Sequence, residues 1–138
     1  MKILINLGRS ASVTVAPGKR QALVFDKEWS DPEKVHKDGA HADWLPKEGS
    51  YYLVTLNVIV SGQAAGEKVK LTITEYERDK DVRVKDGLGE DKIGNGSRIE
   101  YTLSGVLWMD EKSRYRAEVE NFGAAPVTVE KAYLKVAR

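Results

Sequence analysis

The sequence predicts an all-β domain, an antiparallel sandwich of two sheets. Three observations carry that reading. Apolar residues recur at every second position in several separate runs, and a strand points successive side chains to opposite faces. No stretch shows the 3.6-residue period of a long helix. Clusters of Gly, Asn and Asp punctuate the runs as turns do.

Taken in chain order, Ile3–Ile5, Ser12–Val15 and Gln21–Phe25 read as short strands. Residues 26–49 read as a long loop, with one helical turn over Asp31–Lys37 capped by Asp31 and started by Pro32. Tyr52, Val54, Leu56, Val58 and Val60 form the buried face of a strand. Leu53 and Ile59 make its other face partly apolar, which predicts a central position. After a Gly-Gln-Ala-Ala-Gly loop, Val69, Leu71 and Ile73 point inward and Lys70, Thr72 and Thr74 outward, so the two runs read as an antiparallel pair. Residues 79–96 read as a second long loop, ending in a tight turn at Asn95-Gly96. Ile99, Tyr101 and Leu103 begin a strand that runs on to Trp108, with Gly105 predicting a bulge and Trp108 placed in the core. Tyr115, Ala117 and Val119 alternate with Arg116, Glu118 and Glu120, a strand with one wet face. The last run starts on Val127 and Val129, then changes phase to Ala132, Leu134 and Val136. A bulge near Glu130-Lys131, or a change of sheet, must absorb that slip. The sum is about eight strands, best arranged as a jelly-roll sandwich with a flattened barrel as the alternative. Residues 1–20 are expected as an extended N-terminal arm with the first strands, and 21–138 as the sandwich of a single domain.

Composition narrows the function classes. One domain of 138 residues can bury a core without staples. There is no Cys, which excludes disulfides, thiolate metal sites and cysteine nucleophiles. The net charge of +1 gives no global drive toward nucleic acid, and no apolar run is long enough to span a bilayer. Asn6 interrupts the only apolar stretch near the start, so no signal peptide is expected.

Chemistry-bearing motifs are sparse. His36 and His41, with Asp38 and Asp43 nearby, could hold a divalent ion, against the plainer reading of a polar turn-rich loop. The acids of 79–91 fail as an EF-hand, because Arg83 and Val84 stand where an oxygen ligand and Gly belong. No Gly-x-Ser-x-Gly elbow exists, and Glu118 and Glu120 beside Arg114 and Arg116 read as ion pairs. The expectation is therefore no enzyme, no cofactor and no resident metal. Trp29 and Trp44 flank the long loop; they either pin it, sit in a subunit interface, or stack on a surface glycan. The first 25 residues hold four cations, Lys2, Arg9, Lys19 and Arg20, and no acid. That asymmetry fits either a charged edge strand or a basic arm docking on an acidic partner.

A resemblance sharpens this. Pro46, Gly49 and Tyr51, within Trp44-Leu45-Pro46-Lys47-Glu48-Gly49-Ser50-Tyr51-Tyr52-Leu53-Val54, are similar to the Pro-x-x-Gly-x-Tyr signature of C1q/TNF-like jelly rolls. Upstream, Phe25-Asp26-x-Glu28-Trp29-x-Asp31 with His36 resembles the start of small jelly-roll proteins on tailed-phage heads. The resemblance implies a homotrimer and a structural role in a virion: decorating or cementing a capsid, or forming a head fibre. The implied partners are further copies of the chain and a major capsid protein, with no nucleic acid and no membrane. The implied location is the capsid exterior, after synthesis in the host cytoplasm. The rival reading is a carbohydrate-binding β-sandwich.

Overall fold

The computed structural model describes residues 2–37 and 41–138. Ten strands run in chain order: β1 (Ile3–Arg9), β2 (Val13–Val15), β3 (Arg20–Ala22), β4 (Lys27–Ser30), β5 (Ser50–Ser61), β6 (Lys68–Glu77), β7 (Arg83–Ile93), β8 (Ile99–Met109), β9 (Ser113–Asn121) and β10 (Val127–Ala137). They build two antiparallel sheets. One has the order β4-β1-β10-β5-β8, with β2 also on β10; the other has the order β3-β9-β6-β7. The expected all-β jelly-roll sandwich is the observed fold, with ten strands rather than about eight.

The inward faces are those the alternation marks. Tyr52, Val54, Leu56, Val58 and Val60 of β5 are buried, and so are Val69, Leu71 and Ile73 of β6. Those two strands do not pair, however. β5 lies between β10 and β8, and β6 between β9 and β7. The chain crosses from one sheet to the other through 62–67, so the two apolar faces meet across the core rather than side by side.

The slip in the last strand is a bulge. The β10–β5 register shifts between Val129 and Lys131, and β10 stays in one sheet. Gly105 makes no bulge, because the β5–β8 register is continuous past it. It makes room instead: a Cβ there would meet Leu88 Cδ2 at 3.0 Å.

Both long loops contain strands. β4 occupies part of the first and β7 most of the second. β7 escapes the alternation reading because it is an edge strand, and opposite Val69 and Leu71 it places Lys92 and Glu90. No helix forms over Asp31–Lys37. The Asp31 carboxylate instead accepts the backbone N–H groups of Val35 and His36, both at 2.9 Å, in a local turn.

The N-terminal segment is not an extended arm. β1 lies between β4 and β10, and Leu4, Ile5 and Leu7 are buried. Its apolar alternation outweighs its basic character, since burying such side chains is worth roughly 1.5–3 kcal/mol each.

Candidate functional site

The two outer faces of the sandwich differ in kind. On the β3-β9-β6-β7 sheet, charged side chains form a roof. Arg20 donates to both oxygens of Asp86 at 2.8 and 3.2 Å, and to Glu120 at 3.1 Å. Lys70 reaches Asp86 Oδ2 at 3.1 Å. The Tyr76 hydroxyl donates to Glu118 Oε2 at 2.8 Å, and the Arg116 guanidinium stands 4.1 Å from the centre of the Tyr76 ring. Asp43 holds Arg116, Nε to Oδ1 at 2.7 Å, and also pairs with Arg114.

The electrostatics follow from this packing. Hydrogen bonds from Arg20 bring the Asp86 carboxyl down to about 2, against the opposing effect of burial. The Tyr76 hydroxyl is pushed up to about 12, first by burial and then by Glu118. Thr72 and Thr74 lie beneath the roof and are fully buried. Glu118, expected on a wet face, is buried as well, because Arg20 and Tyr76 cover it.

The outer face of the six-stranded sheet carries aromatic rings instead. The register places Tyr51 opposite Trp108 and Leu53 opposite Val106. Tyr51 is 66% exposed, Val106 64% and Trp108 49%. The Tyr51 and Trp108 rings meet edge to face, centroids 5.0 Å apart. Gly49 permits this corner, since a Cβ there would lie 3.1 Å from Trp108 Cζ2. Between here and the far edge the face is polar, with Thr102 donating to Asn57 at 2.6 Å. At the far edge Trp29 stacks on Tyr133, centroids 6.1 Å apart and planes 19° apart.

The structure separates the predicted site residues. Trp108, expected in the core, is half exposed. Trp44 is wholly buried, so it is neither an interface nor a glycan aromatic. It bonds to the backbone of Tyr115 in both directions at 3.0 Å, stacks on that ring, and donates from Nε1 to Met109 Sδ at 3.4 Å. This pins the long loop along β9. Trp29 is exposed, as an interface or glycan residue requires.

The four cations do not form one patch. Lys2 and Arg9 stand at opposite ends of β1, about 23 Å apart at 3.3 Å per residue. Lys2 pairs with Glu33, Arg9 donates to Val24 O at 2.9 Å, Arg20 belongs to the ionic roof, and Lys19 is exposed in the turn before β3. Of the signature residues, Pro46 is buried, Gly49 makes room for Trp108, and Tyr51 enters β5 facing outward.

His36 has no ring nitrogen to spare, since Nδ1 lies 3.0 Å from Glu28 Oε2 and Nε2 lies 2.9 Å from His41 O. Asp38, named with it, lies outside the described residues. Among the described residues no cluster of three or more His, Asp or Glu is arranged around a common point.

Comparison with solved structures places the fold. Murine APRIL superposes with a TM-score of 0.67 over 100% of both chains, at 7% identity. The fold is a TNF-like jelly roll. Eiger TNF from S. frugiperda superposes at TM-score 0.58 and 12% identity, covering 100% of this chain and 93% of that one. PRD1 vertex protein P5 does so at 0.60 and 12%, covering 99% and 96%. No family model matches the sequence, and no curated protein matches it either. The C1q/TNF-like expectation raised by Pro46, Gly49 and Tyr51 thus holds at the level of fold.

Proposed function

We propose that the chain is a structural jelly roll that associates as a homotrimer through the Tyr51–Trp108 end of its six-stranded sheet and serves as a capsid-bound virion component. The observation that carries the reading is the exposed cluster of Tyr51, Val106 and Trp108 on one sheet face. Large aromatics and a β-branched residue grouped on one face mark an association surface, because water gains when they are covered. A threefold axis beside this corner lets three copies cover one another's clusters and closes the assembly. The virion role draws on the fold shared with PRD1 vertex protein P5. Three linked copies would multiply weak contacts to a shell. Lys2 and Lys19, both exposed, are the candidate contacts with an acidic shell surface.

Light scattering across a dilution series tests the assembly. The expected mass is about 46 kDa, three chains of 15.4 kDa. Val106→Glu with Trp108→Glu should reduce it to one chain while the melting transition persists. A wild-type monomer at every concentration refutes the trimer. Cosedimentation with empty capsids then tests the virion role, with Lys2→Glu and Lys19→Glu expected to reduce it. Deleting the first ten residues cannot serve, because it removes β1 from within the sheet.

A further inference from the structure

We infer that the pocket between the Trp29–Tyr133 stack and Arg9, Lys27 and Lys131 is a binding site for an acidic saccharide, one whose sugar unit carries a carboxylate. Four observations converge there. The pocket encloses about 290 Å³, lined by those five residues and Ser10. That lies at the lower end of ligand pockets, roughly 300–1,000 Å³, and suits one sugar unit better than a peptide segment. Trp29 and Tyr133, with ring planes 19° apart and residues 57% and 37% exposed, form the apolar wall of the pocket. Three cations surround that wall, no acid lines it, and among the described residues none of the three forms an ion pair.

The wall is built into the backbone. Trp29 lies across β1 at Gly8, where a Cβ would stand 2.7 Å from Trp29 Cζ3. Arg9 is held in place by its Nη1 bond to Val24 O at 2.9 Å. A rigid apolar wall faced by fixed and mobile cations binds a group that is apolar on one side and anionic on another. A pyranose carrying a carboxylate is such a group: its C–H face lies on the rings and its charge meets the guanidinium and ammonium groups. A nucleic-acid strand would need a basic groove extending along a backbone. Here the adjoining sheet surface offers Asn6, Thr55 and Asn57 with a single cation, Lys135, and no continuous basic groove.

The site does not depend on the proposed trimer. Asn57 is level with Tyr133, and Tyr51 lies six residues from it along β5, about 20 Å. The probe is hexagalacturonate, titrated calorimetrically into the full chain, with maltohexaose and poly-glutamate as comparisons. The expected result is saturable binding of hexagalacturonate alone, weakening as salt is raised. Trp29→Ala, and separately Lys27→Glu with Lys131→Glu, should each weaken it at least tenfold. The lysine pair is exposed, so that variant keeps its melting transition. Val106→Glu with Trp108→Glu should leave binding unchanged even where it alters the assembly mass. Absence of binding, equal binding of maltohexaose, tighter binding of poly-glutamate, or indifference to the lysine reversals would each overturn the inference.

Discussion

Replacing Asp86 by Asn should remove most of a stabilisation that the wild-type protein loses in acid. In the folded chain the carboxyl sits at about 2, against an ordinary value of 3.8, because Arg20 and Lys70 hydrogen-bond its charged form. One pKa unit corresponds to about 1.4 kcal/mol, so the shift is worth about 2 kcal/mol. The Asp86 side chain keeps about a quarter of its exposure (24%), and solvent screening trims the figure to between about 1 and 2 kcal/mol. The direction follows from linkage. Folding lowers this pKa, so the contribution is complete above about pH 4 and fades as the pH falls through about 2. Urea unfolding of wild type and Asp86→Asn at pH 6, 4 and 2.5 measures it. Asp86→Asn is the less stable protein at pH 6, and the gap narrows by about 1 kcal/mol or more at pH 2.5. Parallel losses in both proteins would mean that Arg20 does not hold this carboxylate, and the account of the ionic roof would fail.

Two further outcomes test the packing. Trp44→Ala should cost about 3–5 kcal/mol in urea unfolding, because it empties a fully buried site and removes the ring that stacks on Tyr115 and donates to Met109 Sδ. A cost below about 1 kcal/mol would return Trp44 to the surface. Asn121→Ala should cost about 2–3 kcal/mol, since the buried amide donates to Val15 O and Ala125 O while its oxygen accepts the Gly123 N–H. Hydrogen exchange should then speed up in β2 and in the turn before β10; unchanged exchange there would show that the side chain does not tie them.

Period-two alternation made β5, β6, β8, β9 and β10 legible, and even the bulge in β10, because a one-residue slip moves every later side chain to the other face. Sheet membership was not legible. An inward face looks the same whether its partner is hydrogen-bonded beside it or packed across the core, which is why β5 and β6 were expected to pair. Trp108 was legible and misread: Ile99, Tyr101, Leu103, Leu107 and Met109 share one parity, and Trp108 has the other. Trp44 offered no such signal, because it lies on an isolated bridge rather than within a strand. The pocket at Trp29 was half legible. Arg9 and Trp29 both stood out, but Lys131 joins them only through the pairing of β1 with β10.

The difference between the outer faces is itself an argument about association. On β6 and β9 the outward residues are Lys70, Thr72, Thr74, Arg116, Glu118 and Glu120, and their hydrogen bonds are largely satisfied within the sheet. Covering that face with another protein would strip water from charges already paired, a cost with little return. On β5 and β8 the outward residues include Tyr51, Leu53, Ile59, Val106 and Trp108, which have no polar bonds to lose at their apolar surfaces. Covering them releases water at roughly 25 cal/mol per Å². The same alternation that builds the core thus leaves the β6–β9 face closed by its own ion pairs and the β5–β8 face with exposed apolar side chains, and the proposed self-association rests on that contrast.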